Sequence, residues 1–223
     1  MSRAAAFFDV DGTIVAGNIV RYYANLRTLD FHPAARALWI GWFALRVPYY
    51  LALDARSRSL FQRALYRSYR GLAVADLERR ALVHCERYLR PRLFPAAVAR
   101  MREHQARGED VVLVTGSLRP IVAPLAVQLG VAELISAEME SRDGAYTGRL
   151  VGEPLAAAHK AAAVRACVTR RGLDARTCWA YADSRDDIAM LETVGHAGVV
   201  NPDGRLARVA AARGWDILRW SRS

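Results

Sequence analysis

The chain has 223 residues, 53% hydrophobic and 24% charged, which excludes a disordered chain and allows one α/β domain of good size or a core with a small insertion. The formal net charge of +10 points to anionic partners, but the excess is local: nine arginines and only two acids, Asp30 and Asp54, lie between Ile14 and Ala75. Cys85, Cys167 and Cys178 show no metal-ligand spacing and predict reduced thiols in a cytoplasmic protein.

The opening MSRAAAFF shows no leader pattern, so no cleaved leader is expected. Ala4 to Val15, AAAFFDVDGTIV, reads as a buried central strand whose end carries Asp9 and Asp11. If the strand persists, the two carboxylates share a face. Like charges so close ask for a metal ion or a shared proton. Gly12 permits a tight departure from the strand.

From there the pattern is helical to about Leu89. Ala37 to Leu53 is the most apolar stretch, holding Trp39, Trp42, Tyr49 and Tyr50 and broken by Arg46 and Pro48. A spanning helix needs about 20 apolar residues, and this run is shorter. Two readings stay open: a buried helical hairpin in a small cap, or an interfacial surface with aromatics in lipid and arginines at the headgroups. Ser57 to Arg70 predicts a helix with Leu60, Ala64, Leu65 and Tyr69 inward, and Arg56, Arg63, Arg67 and Arg70 along another stripe.

From Pro91 strands and helices alternate. Strands are expected at Asp110–Val114, Glu133–Ala137, Cys178–Ala182, His196–Val200 and Trp215–Trp220. Helices are expected at Pro95–Arg107, Pro120–Leu129, Leu155–Arg171, Arg185–Thr193 and Gly204–Arg213, and a hairpin around Asp143-Gly144. This alternation implies a parallel sheet covered on both faces.

In such sheets ligands bind beyond the carboxyl ends of the strands. Asp9 and Asp11 lie there, with Thr115, Gly116 and Ser117, then Asp183 with Asp186 and Asp187. Lys160 is the one lysine among 32 basic residues, on a helix entering the sheet. Carboxylates, phosphate donors and a fixed cation make a phosphoryl-transfer site in kind, and hard oxygen ligands suit Mg²⁺.

In the same order, DVDGT, VTGS, Lys160 and ADSRDD resemble the four motifs of the haloacid dehalogenase-like phosphatases. The helical stretch after the first motif is similar to the small cap of the phosphoserine phosphatase-like subfamily, and the closing GHAGVVNPDGRLARVAAARGW is similar too. The resemblance implies an α/β fold, a Rossmann-like doubly wound parallel sheet core with a small all-helical cap. Residues 1–16 and 89–223 would form the core, and 17–88 the cap.

The resemblance also implies roles. Asp9 would be the nucleophile forming an aspartyl-phosphate, and Asp11 the general acid and base. Asp9, the Asp11 backbone carbonyl and Asp183 would hold Mg²⁺. Thr115, Gly116 and Ser117 would hold phosphate, Lys160 would neutralise it, and Asp187, with Asp186 beside it, would lie behind Lys160 or a metal-bound water. Phosphoserine phosphatases carry a Glu for the substrate ammonium where this chain has Asn18. An amide offers an amine no ion pair, which weighs against phosphoserine itself.

The expected function is therefore a Mg²⁺-dependent phosphomonoester hydrolase acting on a small soluble phosphate ester, phosphoserine-like or histidinol-phosphate-like. The alternative is a lipid-phosphate phosphatase, of phosphatidylglycerophosphate or lysophosphatidate type, whose cap touches an anionic membrane from the cytoplasmic side. More remote is a non-catalytic basic binding protein on a phosphatase core. No specific nucleic-acid partner is expected.

Overall fold

The computed structural model of the chain describes residues 4–222. Its strands are β1 (Ala5–Phe8), β2 (Asp110–Leu118), β3 (Glu133–Ala137), β4 (Met139–Arg142), β5 (Ala145–Leu150), β6 (Trp179–Ala182), β7 (His196–Val200) and β8 (Asp216–Leu218). Six of them form a parallel sheet in the order β3-β2-β1-β6-β7-β8. The chain winds outward from β1 toward β3 and then returns to β6. The boundary between β1 and β6 is therefore the topological switch point, where a doubly wound sheet opens a crevice.

All four side chains of β1 are buried, and they alternate between two cores. Ala6 and Phe8 pack with Met101 of α6 (Pro95–Ala106) and Ile121 of α7 (Arg119–Gln128). Ala5 and Phe7 pack with Val164 of α8 (Ala158–Arg170), Met190 of α9 (Ile188–Leu191) and Leu206 of α10 (Gly204–Arg213). Burial on both faces is why these strands read as continuous apolar runs.

Between β1 and β2 the chain forms α1 (Ile19–Arg27), α2 (Pro33–Ala44), α3 (Val47–Arg56), α4 (Arg58–Tyr66) and α5 (Val74–His84). The strands β4 and β5 stand apart from the main sheet as an antiparallel hairpin. Asp143 and Gly144 turn it with φ of 51° and 76°, the left-handed pair that a two-residue hairpin turn demands. The hairpin bonds to the helical segment: Gly71 N–H donates to Tyr146 O at 2.8 Å, Tyr146 N–H to Leu72 O at 2.9 Å, and Val74 N–H to Gly144 O at 2.9 Å.

Three expectations need correction. First, β1 ends at Phe8, so Asp9 and Asp11 do not continue one flat strand. Gly12, at φ 92°, turns the chain immediately after them. Second, the run Ala37–Leu53 is not a buried hairpin. Phe43 and Tyr50 are buried, and Trp39 stacks on Phe43 with ring centroids 5.0 Å apart. Leu38, Trp42, Leu45, Tyr49 and Leu51 are exposed, by 49% for Trp42 up to 79% for Leu45. The sequence of α2 and α3 is apolar on every side, and only the inner side meets the rest of the fold. Third, Leu60 faces outward, because α4 buries Phe61, Gln62, Leu65 and Tyr66 instead.

Candidate active site

The ends of β1, β2 and β6 and the start of α8 converge on the switch point. Asp9 follows β1 directly and is still tied to the sheet, its N–H donating to Tyr181 O at 2.9 Å. Lys160, in the first turn of α8, donates from Nζ to Asp9 Oδ1 at 2.6 Å and pairs with Asp187 Oδ1 at 2.8 Å. All three side chains are buried. Desolvation works against the ammonium, but Asp187 and then Asp9 outweigh it and hold Lys160 protonated well above the ordinary lysine range.

The opposite pressure acts on the acids. Burial raises the Asp9 carboxyl well above its ordinary range, with Lys160 opposing and Asp187, Asp183 and Asp11 adding to the rise. Asp183, just past β6, is pushed up to about 6 by burial first and Asp187 second. Oxygen atoms of Asp9, Asp183 and Asp187 lie within 4.8 Å of one another. One lysine does not balance that set, and the excess negative charge in a dry site is what a hard divalent cation relieves. The chemistry of the donors therefore fits Mg²⁺. The backbone is shaped to this cluster as well: a Cβ on Gly12 would come within 2.0 Å of Asp183 Oδ2.

Asp11 is held differently. Its Oδ2 accepts from Thr115 Oγ1 at 2.9 Å and from Ser117 Oγ at 2.8 Å. Its Oδ1 is buried with no hydrogen-bond partner. Asp11 lines the cavity, and burial first, then the Asp11 carboxylate beside it, raise the Tyr22 hydroxyl well above the ordinary tyrosine range. Thr115 and Ser117 thus spend their hydroxyls on Asp11, and of the triplet only Gly116 lines the cavity with Asp9. Ser117 N–H also donates to Thr115 Oγ1 at 3.0 Å, fixing the turn at the end of β2.

Asp186 is exposed at the cavity rim, in a turn where its N–H donates to Ser184 Oγ at 3.2 Å. Asn18 lies elsewhere. Its Oδ1 caps α1 by accepting from Arg21 N–H at 3.0 Å, and it lines a neighbouring cavity rather than the one around Asp9.

Sequence reasoning missed several participants. Thr13 donates to Asp9 Oδ2 at 3.1 Å and lies 3.4 Å from Asp183 Oδ1, bridging the two acids. It stands inside DVDGT, and the motif itself was the signal. From α4, Arg58 and Gln62 line the cavity from above, and Tyr66 donates its hydroxyl to Gly116 O. Nothing local in the sequence marks them, because their roles follow from how α4 crosses the end of β2.

Residues 6–192 match the family model described as haloacid dehalogenase-like hydrolase. The chain is 32% identical over 216 residues to phosphoserine phosphatase SerB1 of Mycobacterium tuberculosis, covering 96% of this chain and 70% of that protein. It is 26% identical over 137 residues to a histidinol-phosphatase of Neisseria meningitidis, covering 60% of this chain and 62% of that one. Among solved structures, a protein of unknown function from Bordetella pertussis superposes with a TM-score of 0.83 at 27% identity, over 98% of this chain and 99% of the other.

Proposed function

The chain belongs to the haloacid dehalogenase-like hydrolase family and is a phosphomonoester hydrolase; from that premise we propose that it works through an aspartyl-phosphate on Asp9, with Mg²⁺, on a small phosphate ester of the phosphoserine or histidinol-phosphate kind. The observation that carries the reading is the buried Asp9–Lys160–Asp187 group beside Asp183, with Asp11 lining the same cavity. Residues 17–88 act as a cap over a core formed by the rest, with the β4–β5 hairpin bonded to the cap.

In the first half-reaction a carboxylate oxygen of Asp9 forms a bond to phosphorus, and the bond from phosphorus to the ester oxygen breaks. Asp11 gives its proton to the departing alkoxide, which leaves as the alcohol. Thr115 and Ser117 hold Asp11 in place for this. In the second half-reaction the ionised Asp11 takes a proton from water as that water attacks phosphorus. The bond from phosphorus to Asp9 breaks and inorganic phosphate leaves. Lys160 offsets the negative charge that gathers near Asp9, and the missing side chain at Gly116 makes room for the Gln62 amide at the cavity. Asp9, Asp183 and the Asp11 carbonyl would hold Mg²⁺, which would supply further charge neutralisation. Asp187 is already committed to Lys160 and serves to hold that ammonium.

The test is phosphate release from p-nitrophenyl phosphate, phosphoserine and histidinol phosphate with and without Mg²⁺. Asp9→Asn lowers kcat by about a thousandfold or more, since it removes the nucleophile. Equal activity in wild type and Asp9→Asn would sink the mechanism.

A second reading concerns where the enzyme works, and the exposed apolar face of α2 and α3 favours it. Arg36, Arg46 and Arg56 are exposed around this face, and no acid falls between Asp30 and Asp54. Arg46 lies over the Trp42 ring at 4.2 Å. Aromatics framed by arginines suit an anionic lipid surface and a lipid phosphate. Among the described residues no helix is long and apolar enough to cross a membrane, so contact would be peripheral. Sedimentation with phosphatidylglycerol vesicles at low salt tests it, and a protein that stays in the supernatant refutes it. The three buried, unpaired cysteines agree with a cytoplasmic, reducing setting.

A further inference from the structure

A second cavity, of about 120 Å³, adjoins the catalytic one, and Ile19 and Arg58 line both. Val20 from α1, Val47, Tyr50 and Leu51 from α3, and Phe61 from α4 give it apolar walls, and Asn18 and Asp54 line it as well. The polar groups on its rim have bonding partners within the fold. Arg58 Nη1 donates to both oxygens of Asp54, at 3.0 and 3.1 Å, and its guanidinium lies over the Phe61 ring at 5.1 Å. The Tyr50 hydroxyl pairs with Ser68 Oγ at 3.2 Å, and the Asn18 carbonyl oxygen caps α1.

We propose that this cavity receives the leaving group of the ester, and that the leaving group is apolar and about the size of a single aromatic ring. The inference rests on the phosphatase chemistry above and departs from its substrate kind, since serine and histidinol both carry an ammonium. Continuity places the cavity where the ester's organic part would extend once phosphorus faces Asp9. The size follows from the volume: an apolar cavity of about 150 Å³ holds benzene. Selectivity follows from the walls. A polar leaving group entering here would exchange water for mostly apolar walls, which costs more than an apolar group loses.

The experiment compares kcat/KM, with Mg²⁺ and the whole chain, for ethyl phosphate, benzyl phosphate, glycerol phosphate and phosphoserine. Ethyl and benzyl esters both release primary alkoxides, so leaving-group basicity does not decide between them. Benzyl phosphate is expected to exceed ethyl phosphate by at least about tenfold, the benefit of burying one ring. The two polar esters are expected at or below the ethyl level. Val47→Trp, which fills the cavity from the start of α3, brings benzyl phosphate down to the level of ethyl phosphate in the same variant. Leu51→Trp serves the same purpose if the first variant does not fold.

Titration calorimetry with benzylphosphonate and ethylphosphonate reads the same preference without turnover: benzylphosphonate binds at least about tenfold tighter to wild type, and the difference vanishes in Val47→Trp. Benzyl and ethyl compounds within twofold of each other in both assays overturn the proposal, as does phosphoserine ranking first. A rate that keeps climbing from hexyl to decyl phosphate overturns the ring-sized limit and moves the leaving group onto the exposed helical face. Absence of Mg²⁺-dependent turnover on every ester, with the phosphonate preference intact, would instead count against the phosphatase reading alone.

Discussion

Lys160 reaches Asp9 at 2.6 Å and Asp187 at 2.8 Å, and all three side chains are buried. A compact ammonium on a long stem serves this geometry, and a planar guanidinium does not. A chain that otherwise uses arginine for its basic residues therefore uses lysine here. Lys160→Met leaves two carboxylates buried without their cation, and is expected to lower kcat about a hundredfold or more and stability by about 3 to 5 kcal/mol. Lys160→Arg keeps the charge but is expected to rescue neither. Phosphate release and urea midpoints measure both effects.

Gly116 makes a sharper test of how α4 meets β2. A Cβ there would stand 2.2 Å from Gln62 Nε2 and 3.1 Å from Leu155 O. Gly116→Ala is expected to cost activity by about tenfold or more through this crowding. Adding Gln62→Ala removes the nearer obstacle, and the double variant is expected to recover part of the loss. Additive losses in kcat/KM would show that Gln62 and Gly116 do not meet.

At the scale of the element, α5 carries a buried histidine that sets an acid limit. His84 donates from Nδ1 to Asn25 Oδ1 at 2.7 Å, and stacks on Tyr88 with centroids 5.0 Å apart. Burial, with Arg92 adding to it, pushes its pKa down to about 4. The folded chain thus keeps His84 neutral where the unfolded chain protonates it near 6.5. The stability present above 6.5 falls as pH drops through the interval from 6.5 to 4. The full span is worth about 3 kcal/mol. His84→Gln is expected to flatten this part of the pH dependence, read as the difference in urea midpoint between pH 7.5 and pH 5 for the two proteins.

The elements also show where sequence reading succeeds. Strands β1, β6 and β7 were legible because burial on both faces makes them uninterrupted apolar runs, and β2 was legible up to Val114 for the same reason. Its extension to Leu118 was not, since it passes through the Thr-Gly-Ser turn with a register shift against β3. The helix expected from Leu155 begins only at Ala158, because Ala157 sits at φ 45°. The helix expected over Arg185–Thr193 is a short 3₁₀ turn followed by α9, Ile188–Leu191. Asp9, Asp11, Lys160, Asp183 and Asp187 were legible as a set because their chemistry is distinctive in any context. Arg58 and Gln62 were not, because an arginine and a glutamine on an amphipathic helix look alike whether they face solvent or a catalytic cavity.

For the molecule as a whole, the proposed cation site would link stability to metal. The folded site gathers Asp9, Asp183 and Asp187, and the unfolded chain does not. A cation that binds only the folded form stabilises it by mass action, about 2.7 kcal/mol at a hundred times its Kd. Thermal unfolding is therefore expected to shift upward with Mg²⁺ and to return when EDTA removes it. Asp183→Asn is expected to lose most of this response while keeping its fold. A Tm indifferent to Mg²⁺ in wild type would contradict the acidic set as a cation site.

The position of β1 in the middle of the sheet bears on how the chain is made. Its register pairs Ala5 with Asp110 on one side and Ala6 with Trp179 on the other. On the ribosome β1 emerges ahead of both partners, and Phe7 and Phe8 must wait, uncovered, while the helical segment and half the sheet are translated. Pairing at such separation is slow, and the waiting strand is open to misassembly and to chaperones. The strand that leads to the proposed nucleophile is thus made before its partners and secured only after them. A nascent chain stalled before β6 would hold Asp9 without Asp183, and turnover would begin only once translation had passed Asp187.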